Sequence, residues 1–405
     1  MIRVLHFADL HLGVENHGRL DASTGLHSRL IDFLRSFDEL VDYALAEGVD
    51  LVLFAGDAYK NRDPNPTHQR EFAIRIQRLV SAGIPVFLLV GNHDIPRTAG
   101  RANTLDIFST LEVPQVYVGR RPGLHRIATP SGPIQVTALP WIVRSHLLSR
   151  EEFKNRSLAE IEELTLGKLE NVLDQMIQEL DADVPSILAV HGSVQGAVYG
   201  SERSVMLGQE LVLPRSLLNN PAFDYVALGH IHGHQVLDDG QPPIVYAGSV
   251  DRIDFGEEKE AKGFVIAEVD KGSAQYRFVE LTSTRRFVTI EAQADGADPM
   301  AQVSEAIAEH DIDEAIVRLI IHTTVSRNRL LDDREINRLL SAAFKVATVV
   351  HDVERVSRLR LGQDQSIERL PPLELLEKYF QVRKMRKSQI EKLLQYAQRV
   401  METEL

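Results

Sequence analysis

The chain has 405 residues, 44% of them apolar and 25% charged, which suits two or three globular domains rather than a fibrous or disordered protein. It contains no cysteine, so disulfides, thiolate zinc sites and cysteine nucleophiles are excluded, and a reducing cytoplasm is the expected location. Net charge is −13, from 58 acidic against 45 basic residues, so there is no overall basic footprint for nucleic acid. Bound divalent cations or local basic patches would still reshape the field that a phosphate meets.

The first residues, MIRVLHFADLHLG, turn charged too soon for a signal peptide, and no apolar run approaches ~18 residues. Neither export nor a membrane span is expected. Residues 2–8 form a β-rich apolar run. Residues 27–47 place Leu30, Phe33, Phe37, Leu40, Val41 and Ala44 at helical spacing. Residues 49–55 read as a buried strand, 71–82 as a helix stopped at Gly83, and 84–90 as a third strand. This alternation predicts a largely parallel, helix-covered sheet. Further strands are expected at 186–190, 224–228, 244–247, 263–269 and 275–281, with a helix over 153–180.

The rhythm changes after Arg286. Residues 287–292, 315–323 and 345–353 read as strands, and 299–309 and 332–344 as helices. The organisation expected is an α/β domain at 1–285, a small α+β capping domain at 286–360 and a helical tail at 361–405. The tail holds one or two amphipathic helices, with Leu373, Leu376, Tyr379 and Phe380 before the basic cluster Arg383, Lys384, Arg386 and Lys387, and Ile390 and Leu393 after it.

Chemistry concentrates where the strands of the first domain end. The run at 2–8 leads into Asp9-Leu10-His11, that at 49–55 into Gly56-Asp57, and that at 84–90 into Gly91-Asn92-His93-Asp94. The runs at 186–190 and 224–228 lead into His191-Gly192 and Gly229-His230-Ile231-His232. Ligands of α/β sheets gather at the C-terminal ends of strands. Oxygen and imidazole donors without sulfur suit divalent ions such as Mn²⁺, Fe²⁺, Zn²⁺ or Mg²⁺. Seven donors are too many for one ion and about right for two, which at ~3.5–4 Å separation can clamp a phosphate.

FADLHLG, GDAY, GNHD, LGHIHGHQ and YAGSVDRIDFGEEKEAKGF, in that order, resemble the calcineurin-like metallophosphoesterase superfamily and, within it, the SbcD family of nuclease subunits that process double-strand breaks. The resemblance covers residues 1–285. It implies a β-sandwich flanked by helices, a capping domain, and two divalent ions, with Mn²⁺ the expected metal. Carried over position by position, Asp9, His11 and His232 would hold one ion and Asn92, His191 and His230 the other, with Asp57 bridging. His93 would contact the scissile phosphate and help the leaving oxygen depart, with Asp94 placed to orient it. The resemblance departs at Lys60, where family members tend to carry Asp or His. It further implies a dimer acting on DNA as a 3′-to-5′ duplex exonuclease and single-strand endonuclease in repair and recombination. The tail residues Leu373, Leu376, Tyr379, Phe380, Ile390 and Leu393 would bind the coiled-coil base of an SbcC-like ATPase.

Two other functions stay open at this level: a phosphoesterase for small molecules or proteins, and a scaffold with a vestigial metal site. Among the other histidines, His6 is expected to be packed or to sit behind a ligand, His234 to stand aside from the site, and His17 and His27 to lie on loops or the surface. Gly248-Ser249 and Phe255-Gly256-Glu257 are expected to form turns that place the last strands.

Overall fold

The computed structural model describes residues 1–96, 101–200, 210–354, 372–383 and 385–403. Strands β1 (Ile2–Phe7), β2 (Leu51–Phe54) and β3 (Val86–Leu89) are joined by helices Ser28–Glu47 and Pro66–Ser81. The second helix starts earlier than its apolar spacing predicts. Asn65 caps it by accepting from the Thr67 amide at 2.8 Å, and Pro66 sits in the first turn, where a missing N–H breaks no helical bond. Three strands that periodicity did not single out follow: β4 (Val116–Gly119), β5 (Gly123–Thr129) and β6 (Gly132–Leu139). After helix Leu158–Gln178, which opens on a capping box at Ser157 and Glu160, come β7 (Ser186–His191), β8 (Ser193–Val194), β9 (Val212–Leu213) and β10 (Tyr225–Gly229). Strands β11 (Gln235–Asp238), β12 (Ile244–Tyr246), β13 (Gly263–Asp270) and β14 (Ser273–Glu280) complete this part of the chain.

These strands make two six-stranded sheets, ordered β14-β13-β1-β2-β3-β4 and β11-β12-β10-β7-β6-β5. Both are mixed. In the first, β1 to β4 run parallel, while β13 lies antiparallel to β1 with Val269 opposite Ile2. In the second, β6, β7, β10 and β12 run parallel between antiparallel edges.

The period of two in side-chain direction sorts the core into layers. Leu5, Phe7, Val52, Phe54, Val86 and Leu88 face the first two helices, against Phe33, Phe37 and Phe72. The intervening residues Val4, Leu53 and Phe87 face the second sheet, meeting Ile187, Ala189, Ala227 and Val245. On the far side, Leu188, Val190, Val226 and Leu228 pack on Leu169, Leu173 and Met176 of helix Leu158–Gln178. Each large apolar side chain so buried contributes about 1.5–3 kcal/mol. The helix-covered sheet read from periodicity is therefore two sheets face to face with helices outside. Alternation reports that a strand is buried on both faces, but not whether helix or sheet covers it.

His6, on the inter-sheet face of β1, ties the sheets together. Its Nδ1 lies 3.0 Å from the Tyr225 hydroxyl and its Nε2 3.1 Å from the Leu228 carbonyl.

Two compact units make up the chain. The first comprises Met1–Glu291, Ser304–Ile320 and Asp333–Val350; the second comprises Ala292–Val303, Ile321–Asp332 and His351–Leu405. Strands β15 (Phe287–Ala294), β16 (Ile316–Thr324) and β17 (Lys345–Glu354) form a three-stranded sheet in that order, with burial alternating along β16. In the second unit, helices Pro372–Val382 and Lys387–Thr403 pack against each other. Ile390 is buried, Leu373, Leu376 and Phe380 are half-buried, and Tyr379 and Leu393 are exposed. Lys384 lies outside the described residues. Among the described residues no helix is long and apolar enough to cross a membrane.

Candidate metal centre

The strand ends converge on one edge, and the backbone there is strained where donors must be aimed. Asp9, His11, Asp57 and His230 all have positive φ, at 52°, 46°, 64° and 106°. Such geometry costs about 1–3 kcal/mol per residue and persists only where the surroundings over-determine it. Here the loops are pinned to one another. The amides of Asp9 and His11 donate to the carbonyls of Gly56 and Asp57 at 2.9 and 3.1 Å, and the His230 amide donates to Asp9 Oδ2 at 2.8 Å. Two glycines are demanded by close approach: a Cβ at Gly91 would strike the Asp57 carboxylate, and one at Gly56 the His191 ring.

All seven predicted ligands meet at this edge. The donor atoms of Asp9, His11 and His232 lie within 4.8 Å of one another, as do those of Asp57, His191 and His230. Asn92 Oδ1 joins the second group, 3.0 Å from His191 Nε2 and 3.1 Å from His230 Nδ1. Asp57 Oδ2 reaches both groups, at 3.4 Å from His191 Nε2 and 3.9 Å from His11 Nε2. The residues fit two divalent cations. Asp9 Oδ1 is buried without a hydrogen-bond donor, and His11 Nε2 and His232 Nε2 face each other at 3.1 Å. A cation would satisfy the bare carboxylate oxygen and take the place of the proton shared between the two imidazoles.

Groups behind the ligands fix ring orientation and raise basicity. His191 Nδ1 donates to the Ala55 carbonyl at 2.7 Å, which leaves Nε2 aimed at Asp57 and Asn92. His232 Nδ1 lies 2.7 Å from Glu257 Oε1, and Glu257 in turn pairs with the fully buried Lys262 at 2.9 Å. His230 Nε2 stands 2.7 Å from Glu210 Oε1, an ion-pair separation without the alignment of a hydrogen bond. Ser193 donates to the other oxygen of Glu210 at 2.9 Å.

The field at this edge favours positive charge. Burial works against charge on Asp57, yet the charge and hydrogen bond of His191, with His93 and His11 beyond, hold the carboxyl well below the usual range. Burial likewise opposes charge on His232, but the hydrogen bond and charge of Glu257 overcome it and raise the ring to about 9. His191, buried beside Asp57 and Asp9, is also raised to about 9. His11 goes the other way: its burial outweighs the Asp57 charge and keeps the ring neutral, the form that binds metal.

His93 is oriented differently from the expectation. Asp94 does not hold its ring. The Asp94 carboxylate instead accepts from the backbone amides of Asp57, Ala58 and Gly91 at 2.9, 3.2 and 3.0 Å and from the Thr104 hydroxyl at 3.0 Å. A buried carboxylate below two turning loops is drawn to their unpaired N–H groups. It thereby locks the Asp57 loop to the GNHD turn. The His93 ring is oriented by the Lys60 carbonyl, 2.6 Å from Nδ1, and stands edge-on to His11 with ring centroids 4.9 Å apart. At the position where the sequence departs from the family pattern it resembles, the backbone rather than the side chain makes the contact.

His234 stacks on Phe278 at 4.2 Å and bonds the Tyr246 carbonyl, away from the ligands. His27 accepts from the Arg29 amide as a helix cap, and His17 lies edge-on to Phe255 and Phe287. Sequence reasoning missed Glu210, Glu257 and Trp141, whose ring lies 5.0 Å from that of His230. Of these only Glu257 carried a signal, as the acidic residue of a stretch read as a turn.

The family profile described as calcineurin-like phosphoesterase matches residues 2–234. The chain is 28% identical over 319 residues to a DNA double-strand break repair protein Mre11 from Haloferax volcanii, covering 78% of this chain and 60% of that protein. A protein of the same name from Thermoplasma acidophilum is 24% identical over 341 residues, 81% of this chain and 79% of its own. The SbcD subunit of the nuclease SbcCD from Bacillus subtilis is 27% identical over 304 residues, 71% of each chain. A solved dimetal phosphatase from Danio rerio covers 68% of this chain and 98% of its own, with a TM-score of 0.39 and 11% identity, too low to bear on the assignment.

Proposed function

Because the chain belongs to the calcineurin-like phosphoesterase family, a family of metal-dependent hydrolases of phosphate esters, we propose that it is a two-metal DNA nuclease. It degrades duplex ends 3′ to 5′ and cuts single strands internally, with Mn²⁺ as its metal. It works in the cytoplasm as a homodimer, and its tail helices dock on the coiled-coil base of an ATPase partner. The observation that carries the reading is the pair of donor groups sharing Asp57, with His93 on the same rim. Relatives whose names specify a double-strand break repair protein and a nuclease subunit support DNA as the substrate.

Two bound divalent cations would neutralise phosphate charge and make water a better nucleophile at neutral pH. The chain's own residues supply the rest. Asp9, His11 and His232 hold one position, Asn92, His191 and His230 the other, and Asp57 offers an oxygen to each. The Lys60 carbonyl accepts from His93 Nδ1 and fixes the ring, which leaves Nε2 to donate a proton to the departing oxygen. Asp94 acts one step back, by fixing the loop that carries Asp57. The test is a cleavage assay on end-labelled duplex and on single-stranded DNA with Mn²⁺, Mg²⁺ or chelator, with and without the ATPase partner. Metal-dependent shortening from 3′ ends is expected; a protein inert on every DNA in every metal overturns the reading.

A further inference from the structure

Glu257 does more than shape a turn. It belongs to the short 3-10 segment Phe255–Glu257, whose entry is tied by Asp254 accepting from the Gly256 amide at 2.7 Å. Inward, the Glu257 carboxylate holds His232 Nδ1 at 2.7 Å, accepts from the Ile253 amide at 2.9 Å and pairs with Lys262 at 2.9 Å. Lys262 is itself clamped, donating to the His232 carbonyl at 3.1 Å, Ser249 Oγ at 2.8 Å and Glu260 Oε2 at 2.7 Å. The charges in this cluster satisfy one another, so none can move alone.

Outward, the neighbouring residues of the same turn grip β15 and β16. Glu258 accepts from the Thr289 amide at 2.8 Å and from its hydroxyl at 2.5 Å. Arg318 donates to that hydroxyl from Nε at 3.2 Å and from Nη2 at 2.9 Å, and its guanidinium lies over the Phe255 ring at 4.5 Å. Phe255 also stands edge-on to Phe287 with centroids 5.0 Å apart. All of these residues lie in the first compact unit.

We infer that Glu257 is a positioning residue for His232, and that the Asp254–Glu258 turn lets the placement of Thr289 and Arg318 set the affinity of the metal position that His232 serves. A turn of five residues, capped and gripped on both sides, has no slack to absorb a shift of Thr289 or Arg318. Such a shift must re-aim Glu257, and with it the imidazole. Partners behind a metal ligand change metal affinity by about 10–100-fold. This inference rests on the reading of His232 as a ligand.

The test measures Mn²⁺ binding to the full chain by calorimetry, with paramagnetic resonance to distinguish a spin-coupled ion pair from isolated ions. The unmodified protein is expected to bind two coupled ions, and His232→Ala to lose one. Glu257→Gln should weaken one ion about 10-fold or more and leave the other unchanged. Glu258→Ala and Arg318→Ala, whose side chains touch no ligand, should weaken that same ion by a smaller factor and reduce the coupled signal. If both outer variants bind two coupled ions with unmodified affinity, the contacts are merely structural and the inference falls, even where their metal-free melting temperatures drop. If His232→Ala keeps both ions, the reading of the site itself has failed and the inference falls with it.

Discussion

The two sheets contribute unequally to the metal edge. The first supplies every carboxylate and the amide of the proposed ligand set: Asp9 after β1, Asp57 after β2 and Asn92 after β3, with His11 as its one proposed imidazole ligand. The second supplies only imidazoles, His191 at the end of β7 and His230 and His232 after β10. Yet both proposed ion positions draw on both sheets, while a further donor group, His11, Asp57 and His93, lies wholly on the first. The proposed ion pair would therefore need both halves, with the sheets in register across their shared face. Strain follows the same division. Three of the four positive-φ ligand residues belong to the first sheet, whose loops must turn their carboxylates across the seam.

Removing the one group that reaches both positions should do most damage. Asp57→Ala should reduce Mn²⁺ binding from two ions to at most one in calorimetry, and cleavage should fall beyond the range set by loss of a proton donor. Retention of two tightly bound ions would show that the halves do not depend on a shared carboxylate. His93→Gln sharpens the contrast between holding and reacting. Cleavage should fall about 10²–10⁴-fold with both ions still bound, and loss of an ion would make His93 a ligand.

The seam itself can be cut at His6. His6→Phe would leave the Tyr225 hydroxyl buried without its partner, at about 1–3 kcal/mol, while the Leu228 carbonyl keeps the Ala247 amide at 3.2 Å; the loss is read as a lower denaturation midpoint. An unchanged midpoint would mean that the sheets need no such tie.

At neutral pH the least visible effect is a pH slope. Burial pushes His6 down to about 3 from its usual 6.5, with the His234 charge adding to this and the Leu228 hydrogen bond opposing it. Between those values the unfolded chain binds a proton that the folded chain refuses. The contribution is thus fully present above pH 6.5 and declines by about 1.4 kcal/mol per unit as pH falls toward 3. Denaturation of metal-free protein at three pH values in that window should show a shallower slope for His6→Phe than for the unmodified chain.

The convergence of the seven donor side chains was legible because each sits within a few residues of an apolar run, so that local pattern alone placed it at a strand end. The expected helix over 27–47 and the strands at 2–8 and 186–190 were legible for the same reason. What escaped was long-range. Nothing near Glu257 or Glu210 announces the histidine it faces, and the Lys60 carbonyl has no side-chain signature at all. Asp94 was misread because adjacency to His93 suggested contact, whereas successive residues in a tight turn point apart. The membership of β4, β5 and β6 in two different sheets depends on register between distant strands, which no window of sequence contains.

The pairing of Ile2 with Val269 sets an order of events during synthesis. Strand β1 is made before every other strand of the two sheets, and its antiparallel neighbour β13 is among the last of them to appear. Closing so long a loop is slow compared with forming the local helices. The last of the seven donors, His232, emerges shortly before β13. A growing chain therefore lacks the complete donor set, and the strand that closes its sheet, until β13 has been made, and a ribosome that stalls midway releases a fragment without an assembled centre.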